Sequence, residues 1–198
     1  MILNENGLSE LDAAANEQRN SFVTPPIDVA YVEAYQTFVV MTKDSLRIYS
    51  GKTGRLTMYL DNIAGDNNKE GFSDLSSMTL DAKSRKIYLG DIDGITRCFN
   101  VSTGLCIKKI FPTREMLRKV GEATNKINRE VISLKYFSMS ERNCYLISGH
   151  WNSRIRVWDE AQGEEQVHMR TASGYESFKE DIQSIAISEH HSLIATGG

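Results

Sequence analysis

No apolar run in this sequence approaches the ~20 residues that a membrane-spanning helix needs. The longest is about Phe38-Val39-Val40-Met41. Cysteine is scarce. Cys98, Cys106 and Cys144 form an odd set without metal-ligand spacing, which predicts reduced thiols in a cytosolic or cytoskeletal compartment. Positive charge is not in excess either: a net charge of −3 over 198 residues predicts no general affinity for nucleic acid. The opening residues, MILNENGLSELDAAANEQRN, lack a basic segment followed by an apolar one, so no secretory leader is expected there. The Asn100-Val101-Ser102 sequon is accordingly read as a turn and not as a glycosylation site.

Motifs of catalysis and metal binding are missing as well. There is no CxxC, HxxxH or HExxH spacing, no GxSxG elbow and no P-loop. His150, His168 and the pair His190-His191 fall on separate strands or turns, and the adjacent pair is expected to diverge. Asp66-Asn67-Asn68-Lys69-Glu70-Gly71 opens like a calcium loop, with oxygen ligands at the first, third and fifth positions and glycine at the sixth. Ser77 stands where the bidentate glutamate belongs and Ser73 where an apolar residue belongs, so a polar loop is expected. Carboxylates are numerous but scattered. The sequence thus predicts neither catalytic residues, nor a metal, nor a cofactor.

What is present is a cadence. An aromatic residue ends a short strand and a glycine follows five positions later, at Tyr49–Gly54, Phe99–Gly104 and Trp158–Gly163. Alternating apolar segments begin at Ile27, Leu75, Val131 and Ile182, at intervals of 48, 56 and 51 residues. Within each interval four short segments alternate with a period near two, separated by tight turns. The imperfect alternation of IDVAYV suggests a strand buried on both faces. A period of about 50 residues with four strands per unit predicts an all-β repeat architecture, a β-propeller and not a helical solenoid. The units are 27–60, 75–110, 131–170 and a partial 182–198, preceded by a polar leader over 1–26.

The stretches ISGHWNSRIRVWDE and IQSIAIS…SLIATGG resemble the core of a WD repeat and the first half of the next. The resemblance covers residues 27–198 and implies about three and a half four-stranded WD-type blades. Trp158-Asp159 is the one true WD dipeptide; Tyr49 and Phe99 replace the tryptophan elsewhere. The family builds a buried hydrogen-bond relay from a Trp, a strand Ser/Thr, a turn Asp and a preceding His. Carried over, this implies Trp158, Ser148 and Asn152 in the third blade and Asp93 in the second. The histidine is expected upstream of Val131, where TNKINRE has none, so the relay is expected to be incomplete. The stretch GHWNSRIRVWDE followed by DIQSIAISEHHSLIATGG is also similar to cilium- and flagellum-associated WD-repeat proteins.

Charge is patterned between the units. Residues 108–129 carry Lys108, Lys109, Arg114, Arg118, Lys119, Lys126 and Arg129 against Glu115 and Glu122, a net +5. Residues 61–74 carry Asp61, Asp66, Glu70 and Asp74 against Lys69, a net −3. Both connect one blade to the next, so a charge-patterned rim is expected on one face, with the basic insert docking an acidic protein surface, tubulin if the ciliary resemblance holds. Three and a half blades do not close a ring, so missing blades are expected from a longer chain or another subunit. The function expected is a non-catalytic scaffold of the ciliary or flagellar axoneme. A substrate-recruiting or signalling adaptor in the cytoplasm is the alternative, and a propeller enzyme a more distant one.

Overall fold

The computed structural model describes residues 24–61, 63, 73–112, 129–140, 143–161, 165–169, 181–188, 190–191 and 193–198. Among them the chain is all-β, with one 3-10 turn over Glu33–Tyr35 and no α-helix. The first sheet comprises β1 (Asp28–Val32), β2 (Thr37–Met41), β3 (Leu46–Ser50) and β4 (Leu56–Leu60). The second comprises β5 (Leu75–Leu80), β6 (Lys86–Asp91), β7 (Thr96–Asn100) and β8 (Cys106–Ile110). The third comprises β9 (Val131–Ser138), β10 (Cys144–His150), β11 (Ile155–Asp159) and β12 (Glu165–Met169). A hairpin of β13 (Ser184–Ser188) and β14 (Leu193–Gly197) follows. Each sheet is an antiparallel meander with strands in chain order, and none closes on itself.

The local chemistry explains the meanders. Strands are short and rich in β-branched and aromatic residues. The aromatic-to-glycine interval is the turn between the third and fourth strands. Gly54 and Gly104 sit there at φ +68° and +69°, a region that side chains resist. The residue opening each of these two turns caps it: Ser50 Oγ accepts from the Thr53 amide at 3.3 Å, and Asn100 Oδ1 from the Ser102 and Thr103 amides at 2.9 and 3.1 Å.

Three cores lie between successive sheets. Val32, Val39, Met41, Leu46 and Ile48 of the first sheet pack against Leu75, Met78, Ile87, Leu89 and Phe99 of the second. The opposite face of the second sheet, with Tyr88 and Cys98, packs against Leu134, Leu146 and Trp158 of the third. The far face of the third, with Ile147 and Ile155, packs against Ile182 and Ile185. Each such side chain removed from water contributes about 1.5–3 kcal/mol. The first strands touch in succession, β1 to β5 to β9 to β13.

Glycine sets the approach. Gly90 and Gly149 hold equivalent places near the end of the second strand. A Cβ on Gly90 would lie 2.6 Å from Ser77 Oγ and 2.7 Å from Val131 Cβ; one on Gly149 would lie 2.6 Å from Ile182 Cγ2. The space freed lets the next sheet's first strand come close, and both Ser76 and Ser77 donate hydroxyl hydrogen bonds to Val131 O, at 2.8 and 2.6 Å.

One expectation is corrected. The first strand is not buried on both faces: Val29 and Tyr31 are 59% and 50% exposed, whereas Val32 is sealed. The imperfect alternation arose from Ala30 and Val32 facing the second sheet while Val29 and Tyr31 face away from it.

Candidate functional site

Each turn between second and third strands is entered by one buried polar residue. Met41, Gly90 and Gly149 are equivalent, because they pair with the first residues of their third strands, Leu46, Thr96 and Ile155. The residues that follow them are Thr42, Asp91 and His150, all 2% exposed or less. A polar group so placed must be hydrogen-bonded or it costs free energy. The three are satisfied in three ways.

In the first sheet the Thr42 hydroxyl donates to Asp44 Oδ1 at 2.7 Å and accepts from the Ser45 amide at 3.1 Å. In the second, Asp91 Oδ1 accepts from the Asp93 and Ile95 amides at 3.0 and 2.8 Å, while Oδ2 pairs with the buried Arg97 guanidinium. Burial pushes the Asp91 carboxyl up; the Arg97 bond and the Ile95 amide oppose that.

In the third sheet a directional chain runs inward. His150 Nδ1 lies 2.9 Å from Arg129 O, a carbonyl that only accepts, so the proton is on Nδ1. Nε2 is therefore the acceptor, and Ser148 donates its hydroxyl to it over 2.9 Å. Ser148 Oγ in turn accepts the Trp158 indole N–H at 3.0 Å. Ser148 and His150 are two residues apart on one strand and so share a face. A hydroxyl bonded to an imidazole also resembles a nucleophile–base pair. Here Ser148 is 1% exposed and capped by the indole, which leaves no approach for a substrate.

These positions revise the expected relay. Trp158 and Ser148 are joined. A histidine joins them, His150 at the end of β10, which is not the position ahead of Val131 that the resemblance implies. Asn152 lies in the following turn, and its Oδ1 is buried with no hydrogen-bond partner among the described residues. In the second sheet the carboxylate that organises the turn is Asp91; Asp93 is half-buried and contributes its amide.

A second polar cluster joins the second and third sheets. Glu160, just past β11, accepts from Lys86 Nζ at 2.9 Å and from the Tyr88 hydroxyl at 2.7 Å, and its Oε1 lies 3.2 Å from Lys108 Nζ. Lys108 also donates to the Glu160 carbonyl. Burial alone would raise the Glu160 carboxyl, but the bonds from Lys86 and Tyr88 and the Lys108 ammonium outweigh it and hold it at about 2. Burial disfavours the Lys86 ammonium, and Glu160 more than restores it. Burial and the same carboxylate push the Tyr88 hydroxyl up, and burial raises the neighbouring Cys98 thiol.

The expectation of one exposed basic rim is therefore corrected at two of its residues. Lys108 is turned into the sheet–sheet contact, and Arg129 is only 9% exposed, with its carbonyl bound to His150. Lys109 is exposed on β8. Arg114, Arg118, Lys119 and Lys126 lie outside the described residues, as does the calcium-loop-like segment 66–71. Among the described residues no group of His, Cys, Asp and Glu could hold a metal, and no helix is long and apolar enough to cross a membrane. The His190 and His191 rings do not diverge; they meet edge to face at 4.6 Å. A cavity of about 320 Å³ between the first two sheets, lined by Tyr35, Ile48, Met58 and Val101, brings together no charged side chains.

The aromatic cadence has a companion that the sequence already spelled. An arginine stands two positions before each aromatic, in Arg47-Ile48-Tyr49, Arg97-Cys98-Phe99 and Arg156-Val157-Trp158. All three arginines are buried. Glu160 had no such signal, since its partners lie more than fifty residues away along the chain. No family model matches this sequence, and no curated protein matches it.

Proposed function

We propose that the three meanders and the hairpin are consecutive blades of a WD-type β-propeller, and that the chain works as a non-catalytic scaffold for other proteins. The observation that carries this reading is the ordered packing of the sheets. The second and third sheets present their arginine-and-aromatic faces to the preceding sheet and their opposite faces to the next. The buried Trp158–Ser148 bond supports it, because these are two of the residues the WD resemblance implies. Polar side chains spent on sealing turns and on clamping sheets together are the investment of a rigid platform. The one serine–histidine pair described is sealed from substrate.

The similarity of residues 149–198 to ciliary and flagellar WD-repeat proteins supports a place on the axoneme, with tubulin or another acidic axonemal protein as the partner. Lys108 and Arg129 are spent internally, so docking falls to Lys109 and to Arg114, Arg118, Lys119 and Lys126. The test is detergent-resistant co-sedimentation of the full chain with isolated axonemes, beside the variant Arg114→Glu, Arg118→Glu, Lys119→Glu. Pelleting that the triple reversal reduces at least tenfold is the expected result. Equal pelleting of both proteins would overturn the role of the basic segment. No pelleting of either would favour a cytoplasmic adaptor.

A further inference from the structure

The contact between the first two sheets and the contact between the second and third are built from the same positions with different residues. Strand register makes Thr37, Val39 and Ile48 equivalent to Lys86, Tyr88 and Cys98, and Met58 equivalent to Lys108. Val101 and Glu160 are equivalent too. Each stands two residues past the aromatic of its third strand, Phe99 or Trp158. Each donates its amide at the entry of its second strand, to Arg85 O at 3.0 Å or to Cys144 O at 2.9 Å. In the later contact these positions hold the clamp, in which Glu160 accepts from Tyr88 and Lys86 at 2.7 and 2.9 Å and lies 3.2 Å from Lys108 Nζ. In the earlier contact its four polar members are replaced by a threonine, two valines and a methionine, all smaller and uncharged. The space left is the cavity of about 320 Å³, whose wall includes Thr37, Ile48, Met58 and Val101.

Size and chemistry narrow what this space could take. It is roughly twice the ~150 Å³ that holds a benzene ring in an apolar protein interior. Tyr35, 44% exposed, forms part of the wall, so the space meets the surface there. No charged side chain among the described residues lines it, so a charged ligand would lose hydration without gaining a counterion. The Thr57 hydroxyl is spent on Ile48 O at 2.9 Å and that of Ser102 on Asn100 Oδ1 at 2.7 Å. Thr37 Oγ1 is buried with no hydrogen-bond partner among the described residues, an unfavourable state until something bonds it. The group missing relative to the later contact is a phenol: Tyr88 fills its position there, and Val39 leaves the equivalent position short. We propose that the cavity is a binding site for a neutral aromatic molecule of one or two rings that carries a hydroxyl group. The ring lies among Ile48, Met58 and Val101, and the hydroxyl bonds Thr37. Rotation about χ1, between staggered positions, brings the sealed Thr37 hydroxyl to the ligand. Bound there, the molecule supplies between the first two sheets the aromatic and hydrogen-bonding contact that Tyr88 supplies between the second and third.

The probe is 2-naphthol, compared with naphthalene, which lacks the hydroxyl, and 2-naphthoate, which adds a charge. The full chain is labelled with methyl-¹³C methionine, and the Met58 signal is assigned by its loss in Met58→Leu. The expected result is a saturable shift of the Met58 methyl with 2-naphthol, while that of exposed Met139, on the third sheet, stays in place. Naphthalene and 2-naphthoate are expected to bind about fivefold more weakly or worse. Thr37→Val preserves the side-chain shape and is expected to weaken 2-naphthol by about fivefold while leaving naphthalene within about twofold, a split that a merely loosened cavity would not give. Val39→Tyr returns the phenol to its position and is expected to abolish binding; Thr37→Val keeps the test independent of that repacking. No saturable shift at Met58, a shift at Met139 as large as that at Met58, equal affinity for all three probes, or a Thr37→Val chain that loses 2-naphthol and naphthalene alike would overturn the proposal. So would an unchanged affinity of folded Val39→Tyr for 2-naphthol. Axoneme pelleting is independent of this readout, so the scaffold reading and the ligand site fail separately.

Discussion

Replacing Glu160 by glutamine removes one negative charge from between the second and third sheets and leaves the side-chain shape intact. Lys86 and Lys108 then face a neutral amide, and the Tyr88 hydroxyl keeps an acceptor without charge. The Lys86 side chain is 37% exposed and Lys108 26%, so water screens both and each contributes well under 1 kcal/mol. The Tyr88 bond is buried and charge-assisted, worth about 1.5–3 kcal/mol as it stands. A loss of about 2–3 kcal/mol at pH 7 follows. The proton affinity of Glu160 gives an independent check. Holding the carboxyl at about 2 instead of 4.5 corresponds to a ceiling of ~3 kcal/mol. The sign is that of a depressed acid: the contribution is complete above the unfolded value of 4.5 and is lost as pH falls towards 2. Urea unfolding of wild type and Glu160→Gln, followed by circular dichroism at several pH values, reads it directly. The difference is expected to be largest at pH 7, to fall by more than half by about pH 3, and to be nearly gone at about pH 2. A difference that stays constant across that range, or that is below ~0.5 kcal/mol at pH 7, would refute the clamp.

Three further outcomes are expected. Ser148→Ala removes the acceptor of the Trp158 indole N–H and the hydroxyl donor to His150 Nε2 in a sealed site, and should cost about 1–3 kcal/mol in the same urea assay; a loss within error of zero would mean the relay adds nothing. Arg97→Met leaves Asp91 as a buried uncompensated charge and should cost about 3–5 kcal/mol, whereas adding Asp91→Asn, which keeps an acceptor for the Asp93 and Ile95 amides, should recover part of that loss. A thiol reagent should label exposed Cys106 first and Cys144 more slowly, with Cys98 labelled only on unfolding; early labelling of Cys98 would contradict its place between the second and third sheets.

Strand content is legible in the sequence, because a period of two with glycine-bearing turns is a local signal. Leu75, Val131 and the turns at Gly54 and Gly104 stand where that signal put them. The polar interior was only half legible. Trp158 and Ser148 could be paired from the WD resemblance, but His150 lies outside the residue set that the resemblance implies. The alternation of Ser148, Gly149 and His150 put it on the serine's own face. Asp93 follows from counting back from the aromatic; the part of Asp91 does not, because it comes from burial and from the charge of Arg97. Glu160 was invisible, since its value comes from Lys86, Tyr88 and Lys108 on the neighbouring sheet. Exposure of one face of β1 was equally hidden: its residues are as apolar as those of β5 and β9, and only the absence of a neighbour among the described residues distinguishes them.

The central claim is that successive sheets cover one another in a single direction and leave Val29, Tyr31, Phe38 and Tyr59 of the first sheet open. Amide hydrogen exchange of the unmodified chain, compared strand by strand at equivalent positions, tests it most directly. Amides of β1 are expected to exchange at least about tenfold faster than those of β5 and β9, their equivalents in the covered sheets. Exchange in β1 as slow as in β5 and β9 would contradict the account.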